Sequence, residues 1–91
     1  MKIRKKIIVQ GRVQGIGFRY FIRTNAFLTE VNGYVKNLCG DKVEVVFEGE
    51  EGNVNEMIEL CKKGPPGAEI IKFDINNLDY TGEFKNFSIV K

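Results

Sequence analysis

A chain of 91 residues with a net charge of +2, 43% hydrophobic and 29% charged residues has the composition of an ordinary globular protein, and one domain over residues 1–91 is expected. No apolar run nears the roughly 18 residues of a membrane span, and Ile7-Ile8-Val9 behind the basic start is too short for a signal peptide's apolar stretch; the expected compartment is the cytoplasm. Histidine is absent, and Cys39 and Cys61 stand outside any CxxC pattern, a poor ligand set for zinc.

Residues 2–10 alternate, with Ile3, Ile7 and Val9 on one side and Arg4, Lys6 and Ile8 on the other, the period of a half-buried strand. Lys2, Arg4, Lys5 and Lys6 are expected to face solvent. A helix is expected from Phe18, with Phe18, Phe21, Ile22, Asn25 and Ala26 or Thr29 on one stripe and Phe27 and Leu28 widening the apolar arc. Tyr34-Val35-Lys36-Asn37 alternates as a second strand. Gly40-Asp41 suits a two-residue type II′ hairpin turn, glycine first. The third strand sets Val43, Val45 and Phe47 against Glu44, Val46 and Glu48.

A second helix carries Val54, Met57, Ile58 and Cys61 at i, i+3, i+4, i+7 spacing, which makes Cys61 a packing residue. Asn53 with Glu56 form a capping box unless the helix begins a turn earlier. Gly64 suits a left-handed C-terminal cap, and Pro65-Pro66 stops the helix. The fourth strand is expected to place Glu69, Ile71, Phe73 and Ile75 opposite Ile70 and Lys72. A polar loop then leads to a last strand over residues 84–90. The order β-α-β-β-α-β-β implies an α+β, ferredoxin-like split βαβ sandwich. Its sheet is largely antiparallel, with two helices on one face and the other face partly open to solvent.

Between the first strand and the first helix lies Gly11-Arg12-Val13-Gln14-Gly15-Ile16-Gly17-Phe18-Arg19. Glycines at such a junction let several backbone N–H groups converge, and the helix start adds unpaired N–H groups at its positive end. Arg19 supplies a planar, permanently charged fork suited to phosphate oxygens. Helix electrostatics disfavour an arginine there, which is itself a reason to expect an anion beside it. Residues 1–42 hold nine Lys/Arg against two Asp/Glu, and residues 43–91 hold five against ten. The anion cradle therefore lies in the basic half.

The run Gly11–Tyr20, with Gly33-Tyr34-Val35-Lys36-Asn37 and Gly64-Pro65-Pro66-Gly67-Ala68 in order behind it, closely resembles the acylphosphatase family over essentially the whole chain. The resemblance implies that Arg19 and the backbone of Gln14, Gly15, Ile16, Gly17 and Phe18 hold a phosphate. It implies too that Asn37 positions the attacking water. The chain departs from the family pattern at Thr29-Glu30-Val31, where a glycine usually ends the helix, at Tyr34 in place of a common tryptophan, and at Cys39-Gly40-Asp41 in place of Pro-Asp-Gly. Hairpin and helix-end geometry are where differences are expected.

The chemistry fits the residues. A carboxylate leaves without a proton at neutral pH, so a chain without histidine can cleave a carboxyl phosphate without a general acid. It needs to hold the phosphoryl group, stabilise its charge and aim a water; the Asn37 carbonyl oxygen can accept the water's hydrogen bond. The expected reaction is metal-free and cofactor-free hydrolysis of acyl phosphates. The expected partner is a small-molecule acyl phosphate, with no nucleic acid and no membrane, acting on a monomer. The competing reading is a phosphate or acyl-phosphate binding module without turnover. An RNA-recognition domain shares the element order but needs exposed aromatics on its central strands, and Val43–Glu48 offers one aromatic and two carboxylates. A metallochaperone would need a CxxC loop, and a large hydrogenase-maturation protein of the same resemblance would need zinc-finger-like cysteines.

Overall fold

In the computed structural model, which describes all 91 residues, the chain forms β1 (Lys2–Arg12), α1 (Phe18–Leu28), β2 (Asn32–Leu38), β3 (Lys42–Glu50), α2 (Glu51–Lys63), β4 (Glu69–Leu78) and β5 (Phe87–Val90). The strands make one sheet in the order β4-β1-β3-β2-β5. β1 is antiparallel to β3 and β4, β2 is antiparallel to β3, and only β5 pairs in parallel, with β2. Each helix thus joins strands that run the same way with one strand between them, the expected split βαβ arrangement.

Alternation decides what each strand buries. Ile7 and Val9 of β1, Val43, Val45 and Phe47 of β3, and Val35 of β2 point to one face, where they meet Phe18, Ile22 and Ala26 of α1 and Val54, Met57, Ile58 and Cys61 of α2. Removing a side chain such as Phe18 or Ile22 from water contributes roughly 1.5–3 kcal/mol. Phe27 does not join them: it is 81% exposed, and Leu28 beside it is also exposed. The packing stripe follows positions 18, 22 and 26, and residues 27 and 28 rotate past its edge.

Other expectations are corrected. Ile71 is 81% exposed, because the β1–β4 register shifts between Gln10 and Gly11, pairing Gly11 with Ile70 and leaving Ile71 as the extra residue of a bulge. Ile70 packs against the core in its place. Gly11 permits this crossing, since a Cβ there would run into the Glu69 carbonyl. In the β2–β3 hairpin Leu38 pairs with Lys42, so the loop is Cys39-Gly40-Asp41. Both Gly40 (φ 76°) and Asp41 (φ 57°) have positive φ, whereas a type II′ turn needs a negative φ at its second central residue.

Helix ends also differ. α2 starts at Glu51, ahead of any Asn53 capping box, and takes its cap from the Met1 carbonyl, which accepts the Glu51 N–H at 2.9 Å. Gly64 ends it with positive φ but extended ψ (68°, 177°), not the left-handed helical cap. β5 covers only Phe87–Val90, because Phe84 packs edge-on against Tyr34 instead of extending the strand.

The sheet face away from the helices is covered in part by residues 79–86. Glu48, 2% exposed, accepts hydrogen bonds on Oε2 from the Thr81 N–H (3.0 Å), the Thr81 hydroxyl (3.2 Å) and the Gly82 N–H (3.1 Å). Arg4, expected in solvent, is instead largely buried. It donates to Thr81 Oγ1 and Glu83 Oε1, both at 2.7 Å, lies 3.6 Å from Glu48 and stacks over the Phe84 ring. Lys6 is likewise engaged, 3.5 Å from Glu44.

Candidate active site

β1 ends at Arg12 and α1 begins at Phe18, so residues 13–17 turn the chain at one end of the sheet. β2 runs in the same direction as β1, two strands away, and its last residues, Asn37 and Leu38, come to that same end. The two segments are tied together. Gln14 Nε2 donates to the Leu38 carbonyl at 2.8 Å and to the Lys42 carbonyl at 2.9 Å, and the Gly11 N–H donates to the Asp41 carbonyl at 3.1 Å.

Gly15 (φ 77°) and Gly17 (φ 79°, ψ 17°) take left-handed conformations with open space where a Cβ would stand. Backbone strain, not crowding, is what calls for glycine at both. The turn they make leaves the N–H groups from Gln14 through Tyr20 without any backbone carbonyl to donate to. The first that finds one is Phe21, bonded to the Gly17 carbonyl at 2.9 Å. No side chain caps α1, and its first turn holds no acidic residue, so the positive helix end is uncompensated.

Around this turn Gly15, Gly17, Phe18, Arg19 and Tyr20 line a concavity of about 140 Å³. Phe18 is buried in the core and offers the site only its backbone. Ile16 packs toward the core and is not among the lining residues. Arg19 is half-buried at the rim and pairs with no carboxylate. Asn37 sits on the helix-facing side of β2 opposite Val43, and its Oδ1 is buried with no hydrogen-bond donor in the protein. Leaving an acceptor so costs about 1–3 kcal/mol.

Volume does not mark this site. A larger hollow of about 710 Å³ lies between the end of α1 and residues 85–87, lined by Arg23, Phe27, Leu28 and Lys85 among others. No group of three or more His, Cys, Asp or Glu side chains comes together anywhere as a metal site. Both cysteines are free. Burial pushes the Cys61 thiol up to about 12, which keeps it inert.

The family model described as acylphosphatase matches residues 5–89. The chain belongs to the acylphosphatase family. A relative named acylphosphatase from Caldivirga maquilingensis is 43% identical over 96% of this chain and 93% of its own length. The crystal structure of acylphosphatase from Bacillus subtilis matches with a TM-score of 0.93 and 35% identity, covering 98% of this chain and 99% of that one. A portion of full-length HypF, solved in a phosphate- and nucleotide-bound form, matches with a TM-score of 0.90 and 29% identity, covering 100% of this chain but 12% of HypF. Family membership makes the chain a hydrolase acting on acid anhydrides. The same matches bear out the ferredoxin-like α+β architecture.

Two features of the site were not read from the sequence. One is the part played by Gln14, whose side chain is spent on two carbonyls; no local pattern announces a bond across 24 or 28 residues. The other is Tyr20, exposed at the rim, whose place one step beyond Arg19 in the first helical turn was the available signal.

Proposed function

We propose that this chain hydrolyses acyl phosphates, the mixed anhydrides of a carboxylic acid and phosphate, to carboxylate and inorganic phosphate with no metal or cofactor. The free N–H groups of the Gln14–Phe18 loop and the Arg19 guanidinium hold the phosphoryl group and take up the charge that spreads over its oxygens. Asn37 orients the water through its carbonyl oxygen. The water oxygen bonds to phosphorus as the phosphorus–acyl oxygen bond breaks. The bonding pair leaves on the carboxylate, and the water's two protons go to the phosphate product. No group has to protonate the leaving carboxylate, which suits a site without histidine.

The observation that carries this reading is the buried, unpartnered Asn37 Oδ1 at the same end of the sheet as the row of free N–H groups. The test is benzoyl phosphate hydrolysis in the presence of EDTA, with inorganic phosphate as inhibitor, in wild type and Asn37→Ala. Wild type is expected to turn over undiminished by EDTA. Asn37→Ala is expected to lose on the order of 10²-fold in kcat, the scale of lost positioning, with the phosphate inhibition constant nearly unchanged. Parallel weakening of both would make Asn37 a binding or structural residue. Wild type that binds phosphate and never turns over would leave a binding module.

A further inference from the structure

We propose that the Gln14 side chain is a positioning group: it touches no substrate, and instead holds the anion cradle, which the Gln14 backbone helps to form, in register with Asn37 by clamping the root of the β2–β3 hairpin. The proposal rests on the water-orienting reading of Asn37 above. A primary amide has two N–H bonds to give, and Nε2 of Gln14 gives them to Leu38 and Lys42, at 2.8 and 2.9 Å. Those two residues are the last pair of the β2–β3 ladder, so one side chain grips both strands where the loop begins. Asn37 directly precedes Leu38, and Gly15 directly follows Gln14. The clamp therefore bridges the phosphate loop and the strand end that carries the water-orienting amide, one residue from each.

The β1–β3 ladder ties the hairpin to β1 as far as the Gln10–Lys42 pair, and beyond it few bonds join the two segments. The Gly11 N–H reaches the Asp41 carbonyl at 3.1 Å, at the far side of the hairpin loop. Cys39-Gly40-Asp41 carries two positive-φ residues and packs no side chain into the core. Without Gln14 the hairpin root can shift against the cradle, and a displacement near 1 Å costs on the order of 10²-fold in rate. Phosphate affinity depends on the loop N–H groups and Arg19, which are on the cradle's own side of the clamp, and should not change.

Gln14→Met keeps the length and apolar stem of the side chain and removes both donors. Benzoyl phosphate hydrolysis and phosphate inhibition are measured for wild type, Gln14→Met, Asn37→Ala and the double variant. Gln14→Met is expected to lower kcat about 10- to 100-fold with the phosphate inhibition constant nearly unchanged. In the Asn37→Ala background the same change should cost less than about threefold, because no aligned water is left to misplace. Losses that multiply in the double variant would overturn the proposal, as would an inhibition constant that weakens in step with kcat. If Gln14→Met folds poorly, Gln14→Asn, an amide one methylene shorter, is read the same way: a loss present in wild type and absent in Asn37→Ala supports the clamp, and equal losses overturn it. Full turnover in Asn37→Ala alone would instead remove the reading on which the proposal stands.

Discussion

Arg19 occupies the first turn of α1, where the helix end is already positive, no acidic residue shares the turn and Arg19 forms no ion pair. Such a residue is held in an unfavourable field unless an anion shares the site. Arg19→Lys keeps the charge and gives up the planar fork. It is expected to lose on the order of 10²-fold or more in kcat on benzoyl phosphate, the effect of removing a directed donor from developing charge. Near-normal turnover would mean that charge alone suffices, or that Arg12 or Arg23 does the work. Arg19 and Asn37 could be named from the sequence because they stand in motifs that resemble the acylphosphatase family, and an arginine at a helix start and an asparagine in a strand are each unusual for their local position. Gln14 could not be understood that way, since its partners lie in another strand pair.

At the scale of the element, the end of α1 shows how a missing glycine is replaced. Glu30 takes the left-handed position (φ 59°). The Glu30 N–H bonds to the Phe27 carbonyl at 3.3 Å and the Val31 N–H to the Ala26 carbonyl at 2.9 Å. This is the paired pattern of a Schellman motif, with Val31 and Ala26 both buried beneath it. The motif forms because burying Val31 outweighs the local strain. Glu30→Gly should remove about 1 kcal/mol of that strain and an acidic side chain at the negative helix end, offset in part by glycine's greater freedom when unfolded. A net gain of up to about 1 kcal/mol in urea unfolding at constant m-value is expected. A loss would show that the Glu30 side chain makes a contribution of its own.

At the scale of the whole molecule, the chain's last quarter is fastened to the sheet by Arg4 and Glu48. Glu48 carries a carboxylate at 2% exposure, answered by Arg4 and by the N–H groups of Thr81 and Gly82. Arg4→Met keeps the stem and removes the charge, leaving Glu48 partly uncompensated. A destabilisation of about 2–3 kcal/mol is expected, below the range for breaking a fully buried pair because the backbone donors remain. Arg4 lies near the start of β1 and the cradle follows its end, so kcat of the folded variant should stay near wild type. A loss below about 0.5 kcal/mol, the scale of an exposed pair, would assign the fastening to Phe84 packed on Tyr34.

By itself the sequence determined what depends on near neighbours: the two periodicities, the glycine-rich turn ahead of a helix, and the presence of Arg19 and Asn37 in their motifs. Alternation also placed Val43, Val45 and Phe47 on the core face, since a strand's side chains change sides at every residue. Only the tertiary structure decided the bulge that expels Ile71, the covering of the far sheet face and the burial of Arg4 and Glu48. The same holds for the link from Gln14 to the hairpin that carries Asn37. Each of these joins segments far apart in the chain, and their geometry exists only once the strands have paired.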